Sequence, residues 1–63
     1  MITVNGKPQQ YVAGTVQELL EQQGFSPAAA VERNGEILPR KSWQRQRLSD
    51  GDVYEIICFV GGG

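Results

Sequence analysis

Two Asn-Gly dipeptides, Asn5-Gly6 and Asn34-Gly35, each stand between short apolar stretches. In a tight two-residue hairpin both central residues need positive φ, and Asn followed by Gly meets that need at the least steric cost. The pairs therefore predict two hairpins, and with them a sheet, in a chain of 63 residues. Before the first, Ile2 and Val4 alternate with Thr3, so residues 1–5 read as a strand with one buried face. Residues 9–12 read as the returning strand. Pro8 cannot donate to a ladder, which places this strand at a sheet edge. Around the second pair, residues 28–33 predict a third strand, and residues 36–38 a short partner ended by Pro39.

Between the hairpins the period changes. Val16, Leu19 and Leu20 fall at i, i+3 and i+4, one stripe of a helix. Thr15 and Glu18 have the spacing at which each side chain caps the other's backbone amide. Gly24 suits a left-handed cap, and Phe25 just beyond it is expected to fold back. The helix, residues 16–23, is barely two turns and needs a sheet to hold it. After a turn at Ser49-Asp50-Gly51-Asp52, residues 53–60 form the longest apolar stretch and predict the central strand. The sum is an α+β architecture, a mixed sheet of four or five strands with one helix on one face. The first and last strands are expected to pair in parallel at its centre, with the helix in the crossover.

The last strand is expected to have two faces. Glu55 belongs in solvent, and period two puts Val53, Ile57 and Phe59 beside it, while Tyr54, Ile56, Cys58 and Val60 point toward the helix. Ile57 and Phe59 on a solvent face suggest an interaction patch, unless the segment around Trp43 covers them. Cys58 reads as a small buried hydrophobe, with a reactive thiol as the alternative. Trp43 reads as a satellite of the core rather than a stacking platform for a ligand.

Directly after this strand come Gly61, Gly62 and Gly63. Lacking Cβ atoms, they fit channels that exclude other residues, and extended they reach about 10 Å. The expected organisation is a domain over residues 1–60 and a flexible glycine tail over 61–63 that presents the Gly63 carboxylate. A frayed end without function is the alternative.

Composition excludes several chemistries. There is no histidine and one cysteine, so no internal disulfide is possible, and no cluster resembles a metal site. No nucleophile–base pair can be argued from spacing, so no catalytic residue is expected. Arg33, Arg40, Lys41, Arg45 and Arg47 fall in one stretch, but the net charge is −1. That stretch reads as a solvated segment, with Arg40 and Arg45 as an electrostatic rim for a protein partner, and no nucleic acid is expected. No apolar run reaches membrane-spanning length and no basic-then-apolar leader opens the chain, so a cytoplasmic protein without membrane contact is expected.

The order of elements resembles the β-grasp, or ubiquitin-like, fold. Several strings resemble the bacterial thiamine-biosynthesis sulfur carrier (ThiS) family: Asn5-Gly6, Thr15-Val16-Gln17-Glu18-Leu19-Leu20, and the run from Val31 through Asn34-Gly35 to Pro39-Arg40, with Trp43 after it. Asp50-Gly51-Asp52 and the closing Gly62-Gly63 complete the set. The small subunits of molybdopterin synthase share the fold and the tail but are usually longer and lack the pattern of Asn34, Pro39, Arg40 and Trp43.

The resemblance implies a carrier, not an enzyme. A ThiF-like, ubiquitin-activating-type adenylyltransferase would use ATP to adenylate the Gly63 carboxylate, and the carrier itself would bind no cofactor. A persulfide donor would then convert that carbonyl to a thiocarboxylate, from which a ThiG-like thiazole synthase would take sulfur for the thiazole of thiamine. Gly61 and Gly62 would thread the partner's active site. Glu55, Ile57, Phe59, Val60, Arg40 and Arg45 would meet the partner surface. The alternatives are a carrier for molybdopterin or another pathway, a ubiquitin-like modifier joined to lysines, and a plain β-grasp interaction module.

Overall fold

In a computed structural model of the chain, the residues described are 1–11, 14–25 and 29–58. β1 (Ile2–Val4) and β2 (Lys7–Gln9) are followed by α1 (Val16–Gln22), β3 (Ala30–Arg33), β4 (Glu36–Ile37), a 3₁₀ turn (Arg40–Ser42) and β5 (Val53–Ile57). The five strands lie in the order β2-β1-β5-β3-β4. β5 is central, as expected. It pairs in parallel with β1 (Thr3 with Val53, Val4 with Tyr54) and antiparallel with β3 (Ala30 with Ile57, Glu32 with Glu55).

Both Asn-Gly pairs make the turns the sequence predicts, with Asn5 at φ 51° and Asn34 at φ 52°. Each also does something the turn signal does not announce. The Asn5 carboxamide oxygen accepts from the Ile56 amide at 2.7 Å, and its nitrogen donates to the Ile56 carbonyl at 3.2 Å. The side chain thus continues the parallel ladder where the β1 backbone has turned away. On the opposite edge of β5, the Asn34 side-chain oxygen accepts from the Val53 amide at 2.9 Å.

One strand is displaced from its expected place. β2 begins at Lys7 and contains Pro8, rather than starting at Gln9. A two-residue turn places Lys7 opposite Val4 at once, and Pro8 then pairs with Thr3. On an edge strand every second amide faces away from the ladder, so the missing N–H of proline is tolerated there. Of the expected strand 9–12, Val12 lies outside the described residues, as does Ala28 of the expected strand 28–33. Of the expected strand 36–38, β4 keeps Glu36–Ile37.

Thr15 and Glu18 form the reciprocal cap: the Glu18 amide donates to the Thr15 hydroxyl at 3.3 Å, and the Thr15 amide to the Glu18 carboxylate at 2.9 Å. At the other end Gly24 has φ 74°. The Gly24 amide donates to the Glu21 carbonyl and the Phe25 amide to that of Leu20, which closes the helix and turns Phe25 onto the core.

The core joins Ile2 and Val4 of β1, Val16, Leu19 and Leu20 of α1, Ala29 and Val31, and Tyr54 and Ile56 of β5. Trp43 is a full member of this cluster, 3% exposed, and not a satellite. The reason lies in the helix N-terminus, whose first amides have no partner within the helix. The Val16 amide donates to the Gln46 carbonyl at 2.9 Å and the Gln17 amide to the Trp43 carbonyl at 3.0 Å. The segment after the 3₁₀ turn is thereby fastened beneath the helix, and the indole is carried inward, where Nε1–H donates to the Leu38 carbonyl at 3.1 Å.

Candidate functional site

β5 carries the predicted alternation. Tyr54 and Ile56 are buried against the helix, and Cys58 is half-buried and packed on the core, as a small hydrophobe would be. Val53 is 43% and Ile57 54% exposed, with exposed Glu55 between them. The segment around Trp43 therefore leaves Ile57 uncovered, because that segment is fastened in the layer of the helix. Phe59, Val60, Gly61, Gly62 and Gly63 lie outside the described residues.

Of the expected basic rim, Arg40 and Arg45 are both exposed. The Leu38 amide donates to the Val31 carbonyl, and Val31 pairs with Ile56, so the chain reaches Arg40 at the end of the sheet where β5 finishes. The Arg40 guanidinium stands 5.6 Å from the centroid of the Trp43 ring, a cation over an aromatic face. These arginines belong to the helix-side segment rather than to the face that bears Glu55 and Ile57.

Register adds two residues to that face which reading β5 alone misses. Glu32 lies opposite Glu55, and Ile37 of β4 lies opposite Glu32. Ile37 is 77% exposed. Period two carried back from the Asn34-Gly35 turn would have placed both.

At the start of β5 stands a polar cluster that the sequence suggests only as a turn. The buried Asp52 carboxylate accepts from the Tyr54 hydroxyl at 2.8 Å, the Ser49 amide at 3.0 Å, Arg33 Nε at 3.2 Å and Asn34 Nδ2 at 3.2 Å. Burial pushes the Asp52 carboxyl up, but the four donors together outweigh it and hold the group below its ordinary value. Burial, and then donation to Asp52, push the Tyr54 hydroxyl well above the usual tyrosine value. Arg33 is raised by its bond to Asp52. This cluster ties β5 to the β3–β4 turn. Its carboxylate is occupied by these four donors.

No group of three or more His, Cys, Asp or Glu side chains able to hold a metal occurs among the described residues. No helix of the described residues is long and apolar enough to cross a membrane. What remains for function is the open sheet face and the chain that leaves β5.

Known proteins share this whole arrangement. A model of the ThiS family matches residues 2–63. The sulfur carrier protein ThiS of Bacillus subtilis is 41% identical over 66 residues, covering 100% of both chains. The crystal structure of a thiamine biosynthesis protein (ThiS) from Geobacter metallireducens superposes with a TM-score of 0.83 at 37% identity, over 98% of this chain and 97% of that one. A thiazole synthase of Paramagnetospirillum magneticum is 42% identical over 64 residues, which is 98% of this chain but 20% of that protein. The β-grasp architecture expected from the order of elements is thus the architecture of its solved relatives, and the chain belongs to the ThiS family.

Proposed function

We propose that the chain is a sulfur carrier for thiazole formation, working through the carboxylate of Gly63. The observation that supports this most is that the likeness to sulfur carrier proteins runs through the glycines to residue 63. β5, central and bonded on both edges, is the root from which those glycines leave. A carboxylate is a poor acyl donor. A ThiF-like adenylyltransferase makes it a good one by joining it to the α-phosphate of ATP, with pyrophosphate leaving. The terminal sulfur of a persulfide donor then attacks the acyl carbonyl and expels AMP. A second thiol cleaves the resulting acyl disulfide, leaving the thiocarboxylate on Gly63. Gly61 and Gly62 occupy the narrow approach to the partner's nucleotide site, where side chains would clash.

The domain supplies no catalytic group in this scheme. It is a protein cosubstrate whose partners carry the chemistry, in the cytoplasm, where ATP and persulfide donors meet it. A ThiG-like thiazole synthase receives the sulfur, a reading supported by thiazole synthases that contain a stretch similar to this whole chain. Intact mass after incubation with the ThiF-like enzyme, ATP and a persulfide donor is expected to rise by about 16 Da, one oxygen replaced by sulfur. Deletion of Gly63 is expected to abolish the gain without unfolding the domain, because the reacting carbonyl retracts by roughly 3.5 Å. A lysine adduct would make the chain a modifier instead, and an unchanged mass would refute the reading.

A further inference from the structure

The Asn5-Gly6 and Asn34-Gly35 pairs that make the two hairpins also carry a chemistry of their own. The amide nitrogen that follows an asparagine can attack its side-chain carbonyl carbon, and glycine, having no Cβ, shields that nitrogen least. Here the approach is open. Gly6 and Gly35 are exposed, and a Cβ added to either would meet no atom within 4 Å. What opposes the reaction is the other role of the two carboxamides. The Asn5 carboxamide is held against β5 at both ends, accepting from the Ile56 amide at 2.7 Å and donating to the Ile56 carbonyl at 3.2 Å. The Asn34 carboxamide accepts from the Val53 amide at 2.9 Å and donates to the Asp52 carboxylate at 3.2 Å. Attack needs the carboxamide carbon to swing onto its own backbone, so in each pair both bonds must break first.

We propose that Asn5 and Asn34 are modification sites gated by the fold: held on β5 they are inert, and when the domain opens each converts, through a cyclic imide with the glycine after it, to aspartate or isoaspartate. The chemistry balances without an oxidant or a partner enzyme. The glycine nitrogen loses its proton to solvent base and bonds to the side-chain carbon. The bond from that carbon to Nδ2 breaks, and ammonia leaves with a proton from water. Water then opens the imide at either carbonyl. One opening gives aspartate, the other isoaspartate, with the main chain routed through the side chain. Neither product can resume its place. At position 5 a carboxylate oxygen would face the Ile56 carbonyl to which Nδ2 now donates, acceptor against acceptor. At position 34 a second carboxylate would stand against Asp52, which is 5% exposed, and like charges so placed repel. The fold thus suppresses the reaction and excludes its products, which makes each conversion a one-way record of an opening of the domain. This is a property of the domain by itself and is independent of the carrier reading.

The test is peptide mapping by mass spectrometry of the full chain, held at mildly alkaline pH in buffer and in guanidinium chloride, with the replacement of NH2 by OH followed at each asparagine. Both sites are expected to convert about tenfold or more slowly in the folded chain. Rates that agree within about twofold between the two conditions overturn the proposal. Asp52→Ala withdraws an acceptor from Asn34 and leaves Asn5 its bonds, so in buffer the ratio of Asn34 to Asn5 conversion is expected to rise about threefold or more. An unchanged ratio would assign the protection to the turn backbone and overturns the role given to the carboxamides. Converted chain, separated by anion exchange, is expected to melt about 5 °C or more below the parent. Melting coincident with the parent also overturns the proposal.

Discussion

Replacing Asp52 with alanine should cost this domain about 3 kcal/mol. Its carboxylate has four donors, but they are not equal losses. Tyr54 is 0% exposed, so its hydroxyl would be left without a partner and without water, a penalty of about 1–3 kcal/mol. The Arg33 side chain is 30% exposed and can hydrate when its ion pair is gone, so it adds little. The Ser49 amide and the Asn34 carboxamide lose bonds to a charged acceptor, and each contributes a fraction of that bond's worth. A domain of this length has a total stability of about 3–9 kcal/mol, so the loss is large. Tyr54→Phe removes the donor instead and leaves Asp52 three others, at about 1 kcal/mol; with the hydroxyl absent, the further cost of Asp52→Ala should shrink by about 1 kcal/mol or more. The pH dependence follows from the shift. The folded value of Asp52 is depressed, so its contribution is full above the unfolded value of about 4 and is lost as pH falls through the folded value. Urea unfolding followed by circular dichroism at about pH 7 and again at about pH 3 should therefore show the gap between parent and Asp52→Ala narrowing in acid. Equal stabilities at neutral pH, or a gap unchanged in acid, would refute this account of the cluster.

Leu20 is buried at the centre of the helix stripe, and Leu20→Ala should destabilise by about 2–4 kcal/mol in thermal or urea unfolding. Ile57→Ala should leave the melting temperature nearly unchanged and weaken binding to the adenylating enzyme by about 1–3 kcal/mol, measured by titration calorimetry. Phe59→Ala, on the same period-two face by sequence, should behave alike; a drop of about 3–5 kcal/mol in stability would assign Phe59 to the core instead.

Elements written in local signals are legible in the sequence itself. The Asn-Gly turns, the Thr15–Glu18 cap, the Gly24 stop and the alternation along β5 each depend on residues a few positions apart. What is not legible depends on partners far along the chain. Asn5 can be read as a turn residue, but its bonds to Ile56 span 51 residues and follow only from β1 lying beside β5. Trp43 sits in a polar run with no period, and its burial comes from helix amides that seek carbonyls in that run. Asp52 resembles any acidic turn residue. Only the approach of the β3–β4 hairpin makes it the acceptor for four donors. The candidate face is half visible, since β5 offers Glu55 and Ile57 by period two, whereas Glu32 and Ile37 require the register between strands.

The two carboxamides at the edges of β5 also have a mechanical meaning. A pull directed along β5 from its far end acts parallel to the strand. The bonds to β1, to β3 and to the Asn5 and Asn34 side chains then lie across the line of force and are strained together, in shear. An edge strand pulled sideways would yield bond by bond, like a zipper. On the carrier reading proposed above, an enzyme drawing on the glycines would tug on a cable anchored through the middle of the sheet.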